Sequence, residues 1–228
     1  MNSLLLVSSN IRKLVALDRT AYPTEFILIK DQFNSDITGE FLLYHFIVTF
    51  LKDQPKNISI HSYQSIPNTF HTITKKLLPT FDKQRIHCNE MFNEIELDTE
   101  RFITKHLTDN TGLFILDGLS NLVLLVGEQN LSSIINLIGT LFKVCKERKI
   151  IFIVRNTFGY CKLLDLYLNY LMENEIGLEL SVECLQSGDR NNDANGLLKI
   201  NSYDKKEQSE LKLLFKFIDN CQVNFVPK

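Results

Sequence analysis

Hydrophobic positions follow two different rhythms along this chain. Up to about residue 175, short apolar blocks alternate with stripes at helical spacing. After residue 177 a period of two takes over. In the first regime, residues 26–29 read as a buried strand, followed by a polar loop over 31–38 and a helix over 39–50. That helix is apolar nearly all round, as expected of one packed on two sides. Residues 57–62 form a second short strand. Ser65 and Pro67 suit the start of a helix carrying Phe70, Ile73, Thr74 and Leu77, and Pro79 ends it. A strand over 85–88 follows, then a helix capped by Asp98 with Phe102, Ile103 and Leu107 inward. Residues 113–116 are unbroken apolar, which suits a central parallel strand covered on both faces. Leu131, Ile134, Ile135, Ile138, Leu141, Phe142 and Cys145 mark a long amphipathic helix whose cationic last turn complements its dipole. A buried strand over 150–154 and a helix lined by Leu163, Leu164, Tyr167, Leu168 and Leu171 complete this part. Residues 2–18 read as a helix or an extended lead-in, broken at Ala21-Tyr22-Pro23.

In the second regime Leu178, Leu180, Val182 and Cys184 alternate with Glu179, Ser181 and Glu183. Asn195-Gly196 is a turn signal before a strand over 197–203, and Leu211, Leu213, Phe215 and Phe217 alternate with Glu210, Lys212 and Lys216. Half-exposed strands in antiparallel hairpins are the simplest reading. The predicted architecture is α/β: a mostly parallel sheet flanked by helices and extended by C-terminal antiparallel strands. One domain over 1–228, with 1–20 as a lead-in segment, accounts for all of it.

Charge changes this picture only by exclusion. The formal net charge is −2 with Lys and Arg dispersed, which argues against strong nucleic-acid binding by this chain alone. Five cysteines stand far apart with no C-x-x-C pair, the pattern of reduced thiols in the cytosol or nucleus. Residues 1–7 lack a charged n-region and a cleavage site, and the apolar run over 41–51 is interrupted by His45 and too short to span a bilayer. The expectation is a soluble intracellular protein, cytoplasmic and also nuclear, with no membrane partner.

The candidate chemistry sits where strand meets helix. Strand 26–29, loop and helix 39–50 have the layout of a P-loop, which needs glycines to wrap phosphate and a Lys-Ser/Thr pair for phosphate and Mg²⁺. Here the loop reads DQFNSDITGEF, with Gly39 alone, no Lys between Asp31 and Phe50, and acidic groups at Asp31, Asp36 and Glu40. Carboxylates there occupy the positive end of the helix dipole and repel phosphate. Leu113-Phe114-Ile115-Leu116-Asp117 has the outline of a Walker B strand. In a working NTPase Asp117 would hold Mg²⁺ through water. Its bland reading is an Asp that ends a strand and bonds the Gly118-Leu119-Ser120 turn. The five histidines lack ligand spacing, no G-x-S-x-G nucleophile motif occurs, and Glu94 and Glu96 look solvated. No catalytic residue, metal ligand or cofactor-binding residue is singled out beyond Asp117 as a degenerate Walker B candidate. These residues suggest a RecA-like or related α/β domain, inactive as an enzyme.

Several patches resemble the family of the sixth subunit of the Elongator complex. They are GEFLLYHFIVTFLK over 39–52, Tyr63-Gln64-Ser65 with His71 and Lys75-Lys76-Leu77, and LFILDGLSNLVLL over 113–125. Leu185 to Gly188 with Asp193 and Gly196, and the closing stretch over 217–225, complete the set. Their order and spacing carry the resemblance. The chain is shorter than the family's pattern, with a compact connection between His87 and Asp98. The resemblance implies a RecA-like subunit in a heterohexameric ring with two paralogous subunits. Such a ring associates with the catalytic Elongator subunits, binds tRNA, and supports modification of the wobble uridine. It implies no cofactor bound by this chain alone, ATP belonging instead to interfaces between ring neighbours. Two other readings share the fold: an inactive recombinase paralogue in a DNA-repair scaffold, and a small NTPase with an unusual loop.

Overall fold

The apolar blocks become one nine-stranded sheet because each is too short and too β-branched to bury itself any other way. The computed structural model describes residues 26–90, 97–174, 177–185, 194–203, 208–219 and 222–227. The strands are β1 (Phe26–Gln32), β2 (Asn57–Ser62), β3 (Ile86–Glu90), β4 (Thr111–Asp117), β5 (Ile151–Phe158), β6 (Gly177–Cys184), β7 (Gly196–Tyr203), β8 (Gln208–Asp219) and β9 (Gln222–Pro227). Their order across the sheet is β3-β2-β4-β5-β1-β6-β7-β8-β9. From β3 to β6 every pairing is parallel, and from β6 to β9 every pairing is antiparallel. The expected parallel sheet with an antiparallel C-terminal extension is therefore the observed one.

The helices are α1 (Glu40–Asp53), α2 (Pro67–Leu77), α3 (Thr99–His106), α4 (Leu119–Val126), α5 (Leu131–Arg148) and α6 (Lys162–Asn174). Two core layers follow from the alternation of strand side chains. Ile27, Ile29, Ile60, Ile115 and Ile153 face α1 and α2. Phe26, Leu28, Phe114, Phe152 and Val154 face α3 to α6. Asp98 caps α3 as expected, its Oδ1 accepting from the N–H groups of Glu100 and Arg101.

Three details differ from the sequence expectation. Strand β1 runs on through Asp31 to Gln32, so Asp31 is a buried strand residue rather than the start of the loop. The stretch after Asp117 forms a helix of its own, α4, begun by Gly118 at φ +76°. Added there, a Cβ would lie 2.9 Å from Gln64 Cβ, so both the backbone and the space call for glycine. Strand β6 is less exposed than its alternation implies, because it joins the two halves of the sheet. It pairs parallel with β1 and antiparallel with β7, and Glu179 is buried on it.

Among the described residues no single helix is long and apolar enough to cross a membrane. The lead-in over 2–18, the segment holding Glu94 and Glu96, and residues 186–193 with Gly188 and Asp193 lie outside the described residues.

Candidate functional site

In an open parallel sheet, ligands bind beyond the carboxyl ends of the strands, where successive connections leave toward opposite faces. Here the chain leaves β1 toward the α1 face, and leaves β4 and β5 toward the α4–α6 face. Register then decides which side chains meet at that point. Ile29 lies opposite Arg155, Arg155 opposite Asp117, and Asp117 opposite Ser62. Asp31 follows Ile29 by two residues and so shares its face. Four adjacent strands thus carry polar groups toward their carboxyl ends on the α1 side: Ser62, Asp117, Arg155 and Asp31.

These groups fill the place with their own charges. Arg155 is 0% exposed, Asp117 0% and Asp31 3%. Arg155 Nε lies 2.7 Å from Asp117 Oδ1 and 3.6 Å from Asp31 Oδ2. The shorter contact is an ion pair rather than a linear hydrogen bond. Arg155 Nη2 donates to Gln64 Oε1 at 2.8 Å. Ser62 Oγ donates to Asp117 Oδ2 at 2.5 Å and itself accepts from the Ser65 N–H at 2.7 Å.

The start of α1 is closed in the same way. The Gly39 N–H donates to Asp31 Oδ1 at 2.6 Å, so a carboxylate of the chain holds the anion position at the helix N-terminus. A Cβ at Gly39 would lie 2.6 Å from Ile29 Cγ2 and 2.9 Å from Asp31 Oδ1, which leaves no slack around this contact. Glu40 in the first turn accepts from Tyr44 OH at 2.7 Å and from Ser65 Oγ at 3.0 Å.

One guanidinium faces two buried carboxylates, with Glu40 close enough to add to the imbalance. Burial pushes the Asp31 carboxyl up to about 6, against the pull of Arg155 and the Gly39 N–H. Burial also raises Asp117, with Arg155 and the Ser62 hydroxyl opposing. Burial works to lower the pKa of Arg155, but Asp117 and Asp31 outweigh it and hold the guanidinium charged. Burial and the bond to Glu40 keep the Tyr44 phenol protonated.

The lysine that precedes the loop in sequence is turned away. Lys30 points to the opposite face, 2.6 Å from Glu179 Oε2 and 2.7 Å from Asn169 Oδ1, over the Phe158 ring at 4.7 Å. Asn201 Nδ2 also bonds Glu179, at 3.0 Å. Among the described residues no group of three His, Cys, Asp or Glu side chains gathers as a metal site. His61 is buried against Phe102, Phe114 and His106, with Asn89 Nδ2 2.8 Å from its Nε2.

Asp117 therefore stands at the end of a central strand, bonded to Arg155 and Ser62 rather than to the Gly118-Leu119-Ser120 turn. In that turn the Gly118 N–H bonds the Arg155 carbonyl at 3.0 Å, and Ser120 bonds Asn156 at 2.8 Å through its N–H and 2.7 Å through its hydroxyl. Sequence reasoning missed Arg155, Ser62 and the strand position of Asp31. The available signal was an Arg within a buried apolar strand in IFIVRNTF, a place where a cation requires partners.

No family model and no curated protein matches the chain. Among solved structures it is similar to a KaiC-like protein of the hyperthermophilic archaeon Pyrococcus horikoshii OT3. That likeness has a TM-score of 0.59 at 12% identity and covers 90% of each chain. At this identity the likeness carries the fold alone: the chain has a RecA-like α/β fold.

Proposed function

We propose that the chain is a non-catalytic structural and regulatory subunit of a RecA-type ring. On the resemblance of its sequence patches, that ring is the heterohexameric accessory ring of Elongator, which supports wobble-uridine modification of tRNA. The observation that carries the reading is the Asp31–Arg155–Asp117 cluster at the strand ends. Two carboxylates and the helix-capping contact stand where a phosphate and its cation would have to enter, and the lysine beside the loop, Lys30, is turned to Glu179 instead. A phosphate brought to this point would meet Asp31 first and be repelled.

What remains for such a domain is its surface. Ile66 at the start of α2 is 68% exposed, and Leu124 and Leu125 on α4 are 58% and 47% exposed. Large apolar side chains left in water at the carboxyl end of the sheet suit contacts with paralogous subunits. ATP, where the ring holds it, sits between neighbours, and tRNA is held by the assembled ring.

Affinity purification of the tagged chain from its native cells, followed by mass spectrometry, tests this reading. Recovery of two RecA-like paralogues with the large Elongator subunits is the expected result. Recovery of recombinases and repair factors instead would overturn it. The reconstituted ring is further expected to bind tRNA with strong salt dependence, and the isolated chain to bind it poorly. Equal affinity of the lone chain and the ring would contradict the assembly argument.

A further inference from the structure

We infer that α6 is a pairing helix, and that what it pairs with is α6 of a second copy of this chain, antiparallel across a two-fold axis. The inner face of α6 is fully engaged, with Leu164, Leu168, Leu171 and Met172 buried. Its flanks are fixed as well. Asp165 accepts from the Gly159 N–H at 2.8 Å and from Asn156 Nδ2 at 3.2 Å, and Asn169 accepts from Lys30. The helix therefore cannot roll to hide what lies outward. Outward stand Leu163, Leu166 and Tyr170, exposed to 62%, 55% and 59%. At helical spacing these three fall on one stripe, and the exposed Lys162 and Glu173 complete an arc of about 100°. A solvated helix face is normally charged; this one is apolar through its middle and charged only at its ends.

The signs at those ends select the occupant. Lys162 opens the helix and Glu173 closes it, so the stripe is self-complementary when turned end for end. The antiparallel register that sets Leu166 of one copy against Tyr170 of the other also brings each Lys162 within reach of the other copy's Glu173. Both contacts occur twice, as an isologous interface requires. A uniformly acidic or basic helix would satisfy one end and be repelled at the other. The contact spans about three helical turns, well below the area of a permanent dimer, so it is a reversible association. The inference does not depend on the ring reading, because it concerns the isolated chain and uses a helix separate from Ile66, Leu124 and Leu125.

Sedimentation equilibrium of the purified full chain over a wide concentration range tests it. The expected result is a concentration-dependent monomer–dimer equilibrium that Leu166→Glu abolishes. Lys162→Glu alone and Glu173→Lys alone each weaken the dimer roughly tenfold by setting like charges opposite one another, and the two together restore it. All of these positions are exposed, and an unchanged circular dichroism melt shows that each variant is folded. A chain that stays monomeric at every concentration overturns the inference and assigns the stripe to a different partner. A dimer indifferent to Leu166→Glu, or charge variants that do not rescue one another, overturns it equally.

Discussion

At the scale of single residues, one buried arginine shared by two carboxylates sets the chemistry of the strand ends. Its first consequence is a pH dependence of stability. Asp31 titrates near 6 in the folded chain and at 3.8 when unfolded. Between those values the native state holds a proton that the unfolded state has released. Stability from this group is thus fully present below 3.8 and is lost as pH rises through 6, by about 3 kcal/mol in all. Asp31→Asn keeps an oxygen for the Gly39 N–H and removes the ionisation. Urea unfolding at pH 4.5 and pH 7.5 is expected to show the wild type losing about 2 kcal/mol of that relative to Asp31→Asn. Parallel pH profiles for the two chains would refute the assignment. Arg155→Met leaves Asp117 and Asp31 buried without their cation and is expected to cost about 3–5 kcal/mol in urea unfolding. Adding Asp31→Asn and Asp117→Asn is expected to recover much of that loss, because the penalty lies in the unpaired charges. Little of this was legible in the sequence. Asp117 stood out as a strand-ending acid, but Arg155 and Asp31 lie 38 and 86 residues from it, and only strand register brings the three together.

At the scale of elements, the sequence was legible wherever burial and period agreed. The Asp98-capped helix and the long α5 were readable because each has one face turned to a core, and the strand over Asn57–Ser62 because it is a short run buried on both faces. The reading stopped short where tertiary context overrides period. Residues 119–126 are too apolar all round to display a helical stripe, and β6 carries a two-residue alternation although helix and sheet cover much of it. The junction of β1 and α1 shows how tightly such a context fixes one position. The added Cβ of Gly39→Ala meets Ile29 on β1 and the Asp31 carboxylate at once, and neither can retreat from a buried strand. The variant is expected to lose about 1–3 kcal/mol, with faster hydrogen exchange in the first turn of α1. Wild-type stability and exchange in Gly39→Ala would mean that this junction is looser than its contacts imply.

At the scale of the whole molecule, the question is whether a RecA-like fold with a self-filled strand-end crevice still responds to nucleotide. A ligand present at a hundred times its dissociation constant adds about 2.7 kcal/mol to the native state. In a domain of this size that raises the melting temperature by roughly 5–10 °C. To occupy the crevice, MgATP would have to displace the Asp31 carboxylate from the Gly39 N–H and separate Asp117 from Arg155. Both contacts are buried, and the one basic group at them, Arg155, is already shared by two carboxylates, too little to compensate a triphosphate. The isolated chain is therefore expected to melt at the same temperature with and without millimolar MgATP. Opening the crevice by Asp31→Ala is expected not to create a response, since Lys30, the lysine beside the loop, is turned to Glu179. A rise of several degrees in the wild type, abolished by Asp117→Asn, would instead make this chain a nucleotide-binding protein in its own right. It would also remove the main support for a purely structural role. Differential scanning calorimetry of the three chains, each with and without MgATP, decides between these outcomes.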